Sequence, residues 1–312
     1  MGGAAPGADT IPAMDLTTET FDLQGAAGER VRGEVRRPTG RPGPLPVVLV
    51  LHGFKAFRRW GFFPWFGERI AGRGFASVVF DFSHNGTDAA GEAYPRGDLF
   101  RRMTWGTHQA DLDAVLAAVR GGTLPGASAM DPGRVALVGH SMGGGLAVLQ
   151  ALRTPGLRCV AGLAPVNRAD RFSQGEKETW RAKGELPIVN TRTGEVLPLG
   201  LGHLEDAEAR RGELDAAAAA ARLPCPLLVV HGEDDTSVPP AEGRSLVESA
   251  IAGGRPARFA LVPGTQHTFD AVHPFAGETP ALLHAWRELA AFLETYLVRF
   301  DAPAALAARE VR

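Results

Sequence analysis

The sequence predicts an α/β protein built on a doubly wound, mainly parallel sheet. Three observations carry this. Short apolar runs of strand length recur along the chain, stretches with helical apolar spacing lie between them, and tight turn motifs sit directly behind several runs. A run that is apolar on every residue suits a strand covered on both faces, as in parallel sheets with helices on either side.

The elements follow in order. Residues 1–19 read as a lead-in. Residues 20–37 alternate loosely and predict one or two edge strands with a turn near Gly25 and Gly28. Buried strands are predicted over 44–51, 75–80, 134–138, 157–164, 226–230 and 258–262, and helices over 62–72, 107–120, 142–153, 241–252 and 280–300. The core therefore spans 20–166 and 223–300, with 301–312 as a tail. Residues 167–222 separate two strands by far more than a crossover needs. Their first part is polar, their middle carries Pro187, Pro198 and glycines, and their end is an Ala- and Glu-rich helix. This stretch is expected to be a cap or lid over the strand ends.

Composition narrows the function classes. With 33 basic and 35 acidic side chains the formal charge is −2, which gives no electrostatic footprint for nucleic acid or an anionic membrane. Hydrophobic residues make up 45% of 312, enough for a sizeable core. Cys159 and Cys225 sit in apolar surroundings and read as small core residues, with no metal-ligand spacing. The first residues lack the charged start and apolar stretch of a signal peptide, and no run reaches membrane-spanning length, so a cytoplasmic protein is expected.

The chemistry is written in Gly139-His140-Ser141-Met142-Gly143, behind the run 134–138 and ahead of a helix. Glycines two residues to either side of a serine allow a sharp strand-to-helix turn that lifts the hydroxyl clear of the sheet. A serine hydroxyl is a poor nucleophile at neutral pH and needs a base, which in turn needs an orienting carboxylate. Both are expected in loops beyond strand ends, where open α/β sheets bind ligands. The loop after 258–262 supplies His267 in Gly264-Thr265-Gln266-His267. The loop after 226–230 supplies Glu233, Asp234 and Asp235, of which Asp235, three residues before Val238-Pro239, is preferred; Asp81 behind 75–80 is a rival. Among the other histidines, His140 is expected to orient the turn, and His52 and His231 to bond loop backbone. Two N–H groups must then hold an oxyanion: that of Met142, the residue after the nucleophile, and that of Phe54 in His52-Gly53-Phe54-Lys55.

Together Gly-His-Ser-Met-Gly-Gly, His-Gly-Glu-Asp-Asp-Thr-Ser-Val-Pro, Gly-Thr-Gln-His and His52-Gly53-Phe54 resemble the α/β-hydrolase superfamily over roughly residues 20–300. Within it the chain is most similar to bacterial serine esterases of the dienelactone-hydrolase and prolyl-oligopeptidase-like groups. It departs from true dienelactone hydrolases in having serine where they use cysteine, and from dehalogenases and epoxide hydrolases, which place aspartate there. The resemblance implies a carboxylesterase-type serine hydrolase acting on a small-molecule ester without metal or organic cofactor. A peptidase, a thioesterase and an inactive binding protein on the same fold are the alternatives.

Substrate contacts are less legible. Aromatics at 57–66 either line a pocket or seat the helix behind them, and Trp60 is taken as a contact. His84, in a loop beyond 75–80, and Trp180, in the insertion, are the other candidates. Arg58 and Arg59 read as solvated loop charges.

Overall fold

The computed structural model describes residues 15–190 and 194–299. The strands are β1 (Leu16–Gln24), β2 (Arg30–Pro38), β3 (Leu45–Leu51), β4 (Ala76–Asp81), β5 (Met130–His140), β6 (Leu157–Leu163), β7 (Glu185–Val189), β8 (Val196–Gly200), β9 (Leu227–Gly232) and β10 (Ala257–Val262). The α-helices are α1 (Phe63–Gly72), α2 (Gly97–Arg101), α3 (Trp105–Arg120), α4 (Met142–Ala151), α5 (Gln174–Lys183), α6 (Leu201–Ala209), α7 (Ala216–Ala220), α8 (Pro240–Ala252) and α9 (Pro280–Glu294).

Eight strands form one sheet in the order β1-β2-β4-β3-β5-β6-β9-β10. β2 pairs antiparallel with both β1 and β4, and every other pairing in this sheet is parallel. β1 begins inside the expected lead-in, because Leu16–Glu19 pair with Val35–Pro38. Residues 1–14 of that lead-in and the tail 301–312 lie outside the described residues.

The all-apolar runs behave as fully covered strands should. Successive side chains of a strand point to opposite faces. Accordingly Val47, Leu49 and Leu51 pack with Leu112, Leu146 and Leu246 from α3, α4 and α8. Val48 and Val50 pack on the other face with Phe66 and Ile70 of α1 and with Trp286 and Leu289 of α9. Phe62, Phe63 and Phe66 belong to this second core, so their role is to seat α1. Cys159 and Cys225 are buried and unbridged, one in each core. The parallel strands all point the same way, which delivers the loops after β3, β5, β9 and β10 to one end of the sheet.

Between β6 and β9 the chain leaves the sheet for α5, the hairpin β7–β8, α6 and α7, and the hairpin forms a separate two-stranded sheet. Trp180, Leu186, Leu197 and Leu204 bury a third apolar cluster against Phe57, behind β3, and Tyr94, Phe100 and Met103, behind β4. The polar stretch here folds where no helix is expected. Ser173 Oγ accepts from Glu176 N while the Glu176 carboxylate accepts from Ser173 N, a capping box that starts α5. Arg58 is corrected as well. It is buried and ion-paired with Asp81 and Glu34 rather than solvated, because the loop behind β3 folds back over these carboxylates.

Candidate active site

β5 runs straight into Ser141, whose backbone sits at φ 56°, ψ −119°, a region L-residues avoid. Its neighbours hold it there. Ser141 N donates to Leu163 O at 2.9 Å, and Ser141 O accepts from Gly144 N at 3.0 Å and Val166 N at 3.2 Å. The flanking glycines are required by close approach. A Cβ on Gly143 would lie 2.5 Å from His52 O and 2.6 Å from Leu51 O, and one on Gly139 would overlap the carbonyl of Gly143. The elbow is thus wedged between β3, β6 and the first turn of α4.

Behind β9 the chain turns tightly, and Asp235 Oδ1 accepts the amides of Ser237 and Val238, each at 2.9 Å. Its other oxygen accepts from His267 Nδ1 at 2.7 Å, with His231 Nε2 at 3.3 Å. Burial works to raise the pKa of Asp235. The bonds from His231 and His267, the charge of His267 and the Val238 amide outweigh it and hold the carboxyl well below the usual range. Asp235 is therefore an ionised, buried acceptor. Glu233 and Asp234 are exposed, the former accepting from Gly264 N, and Asp81 is committed to Arg58, so among the described residues Asp235 is the carboxylate that touches His267.

Two more histidines brace the site. His140 Nε2 lies 3.0 Å from His267 O, and its pKa is pushed down to about 3 by burial and by the neighbouring His267. A neutral ring donating to that carbonyl locks the His267 backbone to the elbow. His52 Nδ1 lies 2.8 Å from Gly53 O, which props the loop carrying Phe54. His231 Nε2 also bonds Val238 O at 2.9 Å, tightening the loop around Asp235. Among the described residues, the amides of Phe54 and Met142 donate to no protein acceptor.

Ser141, His267, Phe54 and Lys55 line two cavities at once, of about 330 and 500 Å³. The smaller continues between Trp105, Met142, Val166, Phe172 and His203. The larger continues between Trp60, Asn190, Thr268, Val272 and His273. Trp60 is thus a wall residue. His84 is not; its Nδ1 lies 2.7 Å from Ser83 Oγ, which bonds the buried Asp111, and it borders neither cavity. Trp180 is fully buried and stands one layer back, stacked on His203 and edge-on to Phe172, because the insertion uses it as its own core. Lys55, Phe172 and His203 are among the wall residues sequence reasoning passed over. Lys55 sits one residue beyond Phe54, a position that could have marked it.

With this geometry in hand, the comparisons are specific. The family model described as PET hydrolase-like matches residues 3–220, which hold Phe54 and Ser141 and end before Asp235 and His267. The chain belongs to the PET hydrolase-like family. A monoacylglycerol lipase of Mycolicibacterium smegmatis is 27% identical over 281 residues, 81% of this chain and 91% of its own. An esterase of Pseudomonas putida superposes with a TM-score of 0.62 at 20% identity, covering 92% of this chain and 84% of its own. A Klebsiella pneumoniae protein assigned to the dienelactone hydrolases gives 0.60 at 17% identity over 90% and 100%. These structural likenesses establish the α/β-hydrolase fold. As a PET hydrolase-like protein with a lipase relative, the chain is a carboxylesterase-type hydrolase. No helix among the described residues is long and apolar enough to cross a membrane.

Proposed function

We propose that this PET hydrolase-like protein cleaves small-molecule carboxylic esters through an acyl-enzyme on Ser141. The observation that carries the reading is the 2.7 Å bond between His267 Nδ1 and the buried Asp235, made by a ring that shares both cavity walls with Ser141. Since Asp235 accepts the Nδ1 proton, Nε2 is left as the basic nitrogen. His267 takes the Ser141 proton as Oγ attacks the ester carbonyl. The amides of Phe54 and Met142 receive the oxyanion, and the protonated imidazole passes its proton to the departing alcohol. Water, deprotonated by the same nitrogen, then attacks the acyl-enzyme carbonyl; the acid leaves and Ser141 recovers its proton. Asp235 holds the tautomer and stabilises the imidazolium.

Residues 167–222 act in this reading as a cap. Supporting it, Arg171, Phe172 and His203 face the smaller cavity and Asn190 the larger. The test is labelling with a fluorophosphonate. We expect one label per chain, lost in Ser141→Ala, and turnover of short- or long-chain p-nitrophenyl esters but not of aminoacyl anilides. An unlabelled protein, or one that cleaves anilides in preference to esters, overturns the proposal.

A further inference from the structure

We propose that Lys55 makes this site selective for esters that carry a second, ionised carboxylate, placed to reach the junction of the two cavities. The inference extends the ester-hydrolysis reading above by naming its substrate class.

Position comes first. Lys55 follows Phe54 directly and borders both cavities, as do Ser141 and His267. Its backbone sits at φ 56°, a left-handed conformation uncommon for a lysine, and the Tyr94 hydroxyl donates to its carbonyl oxygen. A side chain aimed by a conformation that must be held in place invites a functional reading.

Charge comes second. An ammonium has three donors, and among the described residues that of Lys55 has one partner, the neutral Val189 O at 3.2 Å. Burial lowers its pKa. Among the described residues, neither cavity wall contains an Asp or Glu. The other cation there, Arg171, is already engaged, with Glu242 at 2.9 Å and Ser237 O at 3.1 Å. Elsewhere in the insertion the pattern is the usual one, with Lys177 2.6 Å from Asp170. Among the described residues Lys55 is therefore a partly buried cation that shares both cavity walls with Ser141 and has no counterion. A substrate carboxylate supplies one, through a charge-assisted hydrogen bond.

The carboxylate can sit on the acid or the alcohol part of the ester, and paired substrates separate the two. On the acid side, monoethyl glutarate is compared with ethyl 4-carbamoylbutanoate; on the alcohol side, 4-acetoxybenzoate with 4-acetoxybenzamide. Each neutral amide keeps the shape and loses the charge. We expect the anion-to-amide ratio of kcat/KM to exceed one on one side in the native protein. The ratio should fall by roughly tenfold or more in Lys55→Met, mainly through KM, and recover in Lys55→Arg. An unchanged ratio in Lys55→Met on both sides overturns the proposal. Calorimetry on Ser141→Ala with the same pairs reads binding without turnover. Tighter binding of an anion than of its amide, abolished by adding Lys55→Met, supports the anion site even if esterolysis fails. Equal binding of all partners refutes it even if esters are cleaved.

Discussion

At the scale of single residues, each proposed participant in the reaction is anchored by backbone rather than by chance proximity. Asp235 is fixed by two amides and by His231 before it reaches His267. Asp235→Asn should keep the fold, leave His267 in the wrong tautomer and lower kcat by about 10⁴; stopped-flow hydrolysis of a p-nitrophenyl ester measures it. Gly143→Ala drives a methyl into His52 O and Leu51 O, so it should reduce both soluble yield and fluorophosphonate labelling, as a gel assay of labelled lysate would reveal. These participants were legible because each stands directly behind a strand, where spacing alone assigns a place. Phe172 and His203 were not, since their positions depend on how the insertion folds over the sheet; Lys55, in the loop behind β3, carried a positional signal that went unread. His84 misled: its strand-end location is real, yet its ring turns inward to Ser83.

Among the elements, the sheet was readable and the insertion was not. Continuous valine- and leucine-rich runs have one comfortable home, a strand covered on both sides. α5 instead buries only Lys177 and Trp180, so no apolar stripe announces it. The readable signal was the Ser173–Glu176 capping box, and Ser173→Ala should cost ~1 kcal/mol of local stability, seen as faster amide exchange across 174–183. The hairpin β7–β8 is disguised by Pro187 and Pro198. These lie opposite each other in a two-stranded ribbon, where a missing N–H is tolerated at an edge. Trp180 ties both pieces to the smaller cavity through Phe172 and His203. Trp180→Ala should destabilise by ~3–5 kcal/mol and loosen that wall, raising KM for substrates that fill the smaller cavity.

For the molecule as a whole, buried imidazoles set the response to acid. His52, His84, His108, His140 and His203 are all held below the ordinary value of 6.5, chiefly by burial, His140 at about 3 and His203 at about 4. Between about 4 and 6.5 the unfolded chain therefore binds protons that the fold refuses, so stability rises with pH across that window. Each such histidine contributes at most ~1.4 kcal/mol per pH unit. Asp111 opposes this, since burial lifts it from 3.8 to about 6 and the fold then binds its proton more readily. Five groups outnumber one, so the urea midpoint should fall steadily from pH 7 to pH 5, and His203→Gln should flatten the slope. A flat profile would show that these rings accept protons without unfolding.

The backbone of Ser141 has a consequence for how the protein responds to selection. Glycine accepts φ 56°, ψ −119° at little cost, whereas serine is held there only by the strands around it. Ser141→Gly should thus raise the melting temperature, by about 1 kcal/mol of added stability, while removing the hydroxyl on which the proposed reaction depends. A library screened for thermal tolerance alone would enrich this substitution, and one screened for turnover would never retain it. Evolution toward robustness must find its gains elsewhere, because at the elbow the sturdier protein is the idle one.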